Sequence, residues 1–165
     1  MSSNTENRSN PLINAALAIM PVIAALLLGQ WATFPNLANW YANLAKPDFN
    51  PPNWIFGPMW TLLYALMAYS SWRIWNLPSD QPGRSTALVV FYAQLALNAL
   101  WSWMFFGLNN PLAGLLDIIP QWLLILVTID SFRRLDARAT YCLVPVAAWV
   151  AFAIVLNFEI WRLNG

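Results

Sequence analysis

Charged residues along this chain come in clusters, and long uncharged runs separate them. None occurs over residues 9–45, 49–72, 85–116 or 139–158, and Asp117 alone breaks the stretch from 85 to 129. Each run holds the roughly 20 mostly apolar residues that carry an α-helix across ~30 Å of hydrocarbon. The pattern predicts helices over 12–31, 54–75, 86–106, 112–132 and 140–161, with Asp117 near the start of the fourth and Asp130 near its end. The segments between them read as connections. "NLPSDQPGRS" (Asn76–Ser85) is a loop by its Pro, Gly, Ser and Asp content. "LNNP" (Leu108–Pro111) is a tight turn, which makes the third and fourth helices antiparallel neighbours. Residues 33–53 are too long for a turn, and the prolines of "KPDFNPPNW" bar a continuous helix, so a lid lying at the membrane surface is expected. Residues 1–11 read as a disordered polar N-terminus and 12–165 as a single domain. The fold class is all-α, an integral membrane bundle of five transmembrane helices.

Composition sharpens this. Only 9% of the residues are charged and 59% are hydrophobic, whereas a soluble domain carries roughly 25% charged residues. There is too little polar side chain to clothe a water-exposed globule. The net charge of +1 offers no basic surface to nucleic acid. The absence of histidine removes His-ligated metal and haem sites and Ser-His-Asp catalysis together. No metal site and no resident cofactor are expected. Cys142, the single cysteine, forms no intrachain disulfide. Glu6 cancels Arg8 ahead of the first apolar run, which is longer than the core of a cleaved signal peptide, so that helix is expected to be retained.

Basic residues divide unevenly between the two sides. Arg8, Arg73, Arg84, Arg133, Arg134 and Arg138 fall with the N-terminus, and Lys46 and Arg162 fall opposite. By the positive-inside rule the N-terminus is cytoplasmic, and the lid and C-terminus face outward.

Polar side chains inside a span are costly and tend to face the bundle interior. Gln94, Asn98 and Trp101 recur at helical spacing on the third helix, Trp60, Tyr64 and Met67 on the second, and Trp149, Ala153 and Leu156 on the fifth, with Asn157 nearby. Aromatic faces around a few amide and hydroxyl groups suit a flat, mostly apolar ligand. Interhelical hydrogen bonding and ordinary packing explain the same spacing, and periodicity alone leaves both readings open. Eleven Trp is a high count. Trp31, Trp54, Trp72, Trp75 and Trp161, near predicted span ends, read as interface anchors. Asp117, about five residues into its span, has Gln121 one turn on and placed to share its hydrogen bonds. No acid–base pair or activated nucleophile is visible, so no conventional catalytic residue is assigned.

Three segments carry a family resemblance. "WYANLAKPDFNPPNWIFGPMWTLLYALMAY" (Trp40–Tyr69), "FYAQLALNALWSWMFFG" (Phe91–Gly107) and "PVAAWVAFAIVLNFEIWRLN" (Pro145–Asn164) resemble, in order, the tryptophan-rich sensory protein/translocator protein family (TspO/TSPO). The resemblance implies a five-helix bundle, usually a homodimer in the lipid bilayer. It also implies a pocket for porphyrins such as protoporphyrin IX, other haem-pathway intermediates and flat aromatic ligands. Carried over by position, the ligand-binding residues are Tyr41, Trp60, Tyr64, Asn98, Trp101, Trp149 and Ala153, and Lys46, Pro47, Pro51 and Pro52 shape the lid. The implied role is that of a porphyrin sensor, regulator or transporter. Light-dependent porphyrin degradation through Trp60 and Trp149 is one alternative, and a scaffold or accessory membrane subunit is another. Phe158 stands where the family's sterol-recognition stretch has Tyr, so sterol binding is not carried over.

Overall fold

The computed structural model describes residues 10–165. Five helices account for most of them: α1 Pro11–Leu37, α2 Asn53–Trp75, α3 Arg84–Ser102, α4 Pro111–Arg133 and α5 Ala137–Asn164. No strand occurs among the described residues. Three helices start on side-chain caps: Asn10, Asn110 and Asp136 accept hydrogen bonds from the amides of Leu12, Ala113 and Ala139 at 3.0, 3.1 and 2.7 Å. Pro11 and Pro111 follow two of these caps, where a missing N–H costs nothing.

The surface is apolar. Met20, Leu27, Trp31, Leu62, Val89, Leu116 and Val155 are all more than half exposed. The interior, by contrast, holds Ser70, Gln94, Asn98, Gln121 and Asn157. This is the arrangement a bilayer selects, because hydrocarbon solvates apolar side chains and leaves polar ones to each other. Helices α1, α4, α5 and α3 with its C-terminal extension are long and apolar enough to cross a membrane. At 23 residues α2 matches α4 in length but is not one of those four, since Asn, Gly, Tyr, Ser and four Trp dilute its apolar content.

Neighbours in sequence are mostly neighbours in space. Helix α4 lies against α3 and α5, α1 against α2 and α3, and α2 against α5. Polar ties pin the α2 end of the bundle. Arg84 donates from Nε and Nη2 to the carbonyls of Ile74 and Trp75 at 3.1 and 2.9 Å, satisfying the C-terminus of α2. Arg73 pairs with Asp136 at 2.5 Å, joining the end of α2 to the start of α5. Ser70 donates to the Ala139 carbonyl at 2.7 Å.

Several boundaries depart from the sequence reading. Helix α1 continues six residues past Trp31, so residues 33–37 belong to it and not to the lid. Pro35 does not stop it: the Thr33 hydroxyl and the Asn36 amide donate to the Gly29 and Ala32 carbonyls at 2.8 and 3.0 Å, so the last turns are bonded by side chains as well as by backbone. Asn10 and Pro11, read from the sequence as part of the polar N-terminus, cap and begin α1, and residues 1–9 lie outside the described residues. The third span does not end as a plain α-helix. Trp103–Gly107 is a π-turn, with the Leu108 and Asn110 amides bonded to the Trp103 and Phe105 carbonyls at 2.8 and 3.1 Å. Asp117 and Gln121 are both buried on α4, yet they do not share a hydrogen bond. Asp117 Oδ2 and Gln121 Nε2 have no hydrogen-bond partner among the described residues.

Candidate functional site

The three stripes read from the sequence meet. Tyr64 on α2 donates its hydroxyl to Asn98 Oδ1 on α3 at 2.5 Å, and one turn along the same seam Gln94 Nε2 contacts Met67 Sδ at 3.8 Å. Above these rungs the helices diverge around a cavity of about 390 Å³, within the range of small-molecule sites. Tyr41, Trp60, Tyr64, Asn98, Trp101, Trp149 and Ala153 all border it. Gln94 and Met67 do not, and act as packing beneath it.

One wall is aromatic. Trp60 and Tyr64 tilt together with ring centres 5.9 Å apart, and Trp149 stands between Phe56 and Phe152 at 5.9 and 5.5 Å. Trp101 stacks on Phe105 at 5.2 Å and 21°, and its Nε1 donates to Asn157 Oδ1 at 3.0 Å, so one face and the polar edge of that indole are taken. Asn157 in turn donates to the Pro111 carbonyl at 2.7 Å. The π-turn matters here: it brings consecutive Phe105 and Phe106 inward together, beneath Trp40 and Tyr41 of the lid.

The lid spans residues 38–52 and contributes Tyr41, the first residue of a short 3₁₀ turn, Tyr41–Asn43. Burial pushes the Tyr41 hydroxyl up to about 12, so it stays protonated and donates to Asn50 Oδ1 at 3.3 Å. Lys46 folds back over the Tyr41 ring at 4.6 Å and donates to the Tyr41 and Leu44 carbonyls at 2.6 and 3.0 Å. The Pro47 carbonyl accepts from the Asn50 amide at 2.9 Å, the Pro51 carbonyl from Asn50 Nδ2 at 3.0 Å, and the Pro52 carbonyl from the Ile55 amide at 3.0 Å. Lys46, Pro47, Pro51 and Pro52 thus fold the lid without bordering the cavity. The lid is fastened to α5 by Asn164, which accepts from the Ala45 amide and donates to its carbonyl, both at 2.9 Å.

The remaining wall belongs to α1, which the three-stripe reading missed. Leu26, Gly29, Gln30, Thr33 and Phe34 border the cavity. One signal was available: Gln30 is one of two amides, with Asn14, inside the predicted span 12–31. The cavity opens between α1 and α2, where Phe34 is 64% and Trp54 73% exposed. No charged side chain borders it.

These features define a multi-pass helical membrane protein with an aromatic cavity under a lid loop. The comparisons with known proteins are specific. Residues 17–162 match the TspO/MBR family, and the chain belongs to that family. It is 41% identical over 159 residues to the tryptophan-rich protein TspO of Archaeoglobus fulgidus, covering 93% of this chain and 99% of that one. It is 41% identical over 125 residues to the tryptophan-rich sensory protein of Cereibacter sphaeroides, covering 76% and 77% of the two chains. The translocator protein of Homo sapiens is 35% identical over 126 residues, covering 76% and 75%. These relatives are named for sensing or translocation and not as enzymes.

Proposed function

We propose that this protein binds a porphyrin or a similar flat tetrapyrrole in the cavity, as a sensor, regulator or transporter of that ligand. The observation that carries the reading is the convergence of Tyr41, Trp60, Tyr64, Asn98, Trp101, Trp149 and Ala153 on one cavity from the lid and three helices. The indoles of Trp60 and Trp149 supply flat faces to stack on a macrocycle, Trp101 offers only the part of its ring not covered by Phe105 and Asn157, and Asn98 meets polar substituents. Since the mouth lies between α1 and α2, a ligand dissolved in the bilayer reaches the site laterally. On this reading all five helices span, α2 sheltered by α1 and α5. The basic-residue count supports a cytoplasmic N-terminus and an outward C-terminus. A homodimer would use the exposed stripe Val89, Ala93, Ala96 and Leu100 of α3 and Trp103 of the π-turn, where two alanines allow close approach.

Trp60 and Trp149 border the same space, which supports a second reading, light-dependent oxidation of the bound porphyrin by dioxygen. A titration with protoporphyrin IX tests both. A saturable shift of its main absorption band in the dark supports binding. Loss of that band only under illumination adds the second activity. A linear, non-saturating response contradicts both.

A further inference from the structure

The aromatic wall gives a flat ligand somewhere to stack but does not fix its rotation in the plane. That takes hydrogen bonds, and several polar groups around the cavity are already engaged. The Thr33 and Thr61 hydroxyls donate to carbonyls of their own helices at 2.8 and 2.9 Å. Asn157 is satisfied by Trp101 and Pro111, and Tyr64 by Asn98.

The indole N–H groups of Trp54, Trp60 and Trp149 and the exposed Asn53 carboxamide are donors left over on the α2 and α5 walls, and three further groups are unengaged on the α1 and α3 walls. The Gln30 carboxamide is half-buried in α1, borders the cavity and makes no hydrogen bond to any described residue. The same holds for the Ser102 hydroxyl on α3. Asn98 uses Oδ1 for Tyr64, and its Nδ2 donors have no protein partner. These groups share one side of the cavity. Ser102 lies one turn beyond Asn98, and its Oγ would sit 3.0 Å from a Cβ built on Gly29, the residue before Gln30. A side chain at Gly29 would crowd the Ser102 hydroxyl, so the glycine leaves that hydroxyl room where α3 faces α1. An unpaired amide inside a membrane span is costly, and no other group within the bundle pairs with this one.

We propose that Gln30, seconded by Ser102, is the specificity-determining wall of the cavity: it selects flat ligands that carry a carbonyl, amide or carboxyl edge and turns that edge toward α1 and α3. The aromatic faces on α2 and α5 then take the flat part. The inference rests on the proposal that the cavity binds flat ligands, but not on those ligands being tetrapyrroles. With no charged side chain in the lining, a neutral acceptor edge fits best.

The test compares anthracene-2-carboxamide with anthracene, whose ring system is the same, by fluorescence titration of the detergent-solubilised protein. Gln30→Met keeps length and removes the donors. One lost hydrogen bond weakens carboxamide binding roughly tenfold while anthracene stays within about twofold. Ser102→Ala gives a smaller loss with the same selectivity, and Trp149→Phe weakens both probes. Equal weakening of both probes by Gln30→Met, or no weakening of either, overturns the inference, as does a parent protein that shows no preference for the carboxamide. Protoporphyrin IX is titrated alongside. If it fails to bind while the Gln30-dependent preference is present, the tetrapyrrole reading falls and the specificity wall stands.

Discussion

Tyr64 and Asn98 are 34 residues apart in sequence and joined by a 2.5 Å hydrogen bond across the α2–α3 seam, at the base of the cavity. The bond satisfies two polar groups deep in the bundle and fixes which edge of Asn98 the cavity sees. Tyr64→Phe leaves Asn98 Oδ1 without its donor in a nonpolar setting, a loss of about 1–3 kcal/mol. Thermal unfolding in detergent should show a lowered midpoint. Ligand affinity should fall as well, because the freed carboxamide is able to rotate. A variant with unchanged stability would mean that water replaces the hydroxyl at no cost.

Asn164 gives a kinetic prediction. Its paired hydrogen bonds to Ala45 close the lid onto α5, and the contact is exposed. Asn164→Ala should therefore change global stability by less than about 1 kcal/mol. It should instead speed ligand dissociation several-fold, as read by stopped-flow displacement. Unchanged dissociation would place the exit between α1 and α2 alone.

Two glycines of opposite character make a matched pair. A Cβ at Gly114 would lie 2.9 Å from Phe105 and 3.0 Å from Asn157 Oδ1, whereas one at Gly57 would meet nothing within 4 Å. Gly114→Ala must push α4 from the π-turn and should destabilise by about 1–3 kcal/mol. Gly57→Ala relieves only the helix penalty of glycine and should stabilise by up to about 1 kcal/mol. Chemical or thermal unfolding of the two variants in one detergent checks the signs.

Acid should loosen the start of α5. Burial alone pushes the Asp136 carboxyl up, but the Arg73 hydrogen bond and the Ala139 amide outweigh it and hold it below its ordinary value. A carboxyl depressed in the folded state stabilises the fold fully above its unfolded value of ~3.9, and that contribution is lost as pH falls through the folded value. Stability should decline with acid below about pH 4, and the decline should be shallower in Asp136→Asn, which keeps a cap but no titration. Equal slopes in the two proteins would remove Asp136 from the acid response.

The helices were legible because a membrane forbids charge over long stretches, and the five spans read from the charge-free gaps fall within the helices observed, the third only with its π-turn included. Where local chemistry overrides that pattern, the sequence misleads. Residues 33–37 read as part of the lid, yet Thr33 and Asn36 supply hydrogen bonds to carbonyls around Pro35 and α1 continues to Leu37. The π-turn at 103–107 leaves no mark in periodicity, and it decides that both Phe105 and Phe106 face inward. Six of the seven residues that border the cavity stand out in the sequence because their spacing on α2, α3 and α5 and the family resemblance agree, whereas Tyr41 in the lid follows from the resemblance alone. Helix α1 showed no aromatic stripe, so Gln30 emerged only once its unpaired amide was seen at the cavity.

The central claim is that Trp60 and Trp149 form the ligand's stacking surface. The most direct measurement is the quenching of tryptophan fluorescence by protoporphyrin IX in the dark, for the parent and for the Trp60→Phe/Trp149→Phe double variant. Saturable quenching with a dissociation constant on the order of micromolar, weakened at least roughly tenfold in the variant, is the predicted result. Quenching that is linear, or identical in the two proteins, would contradict the assignment of the cavity as a tetrapyrrole site.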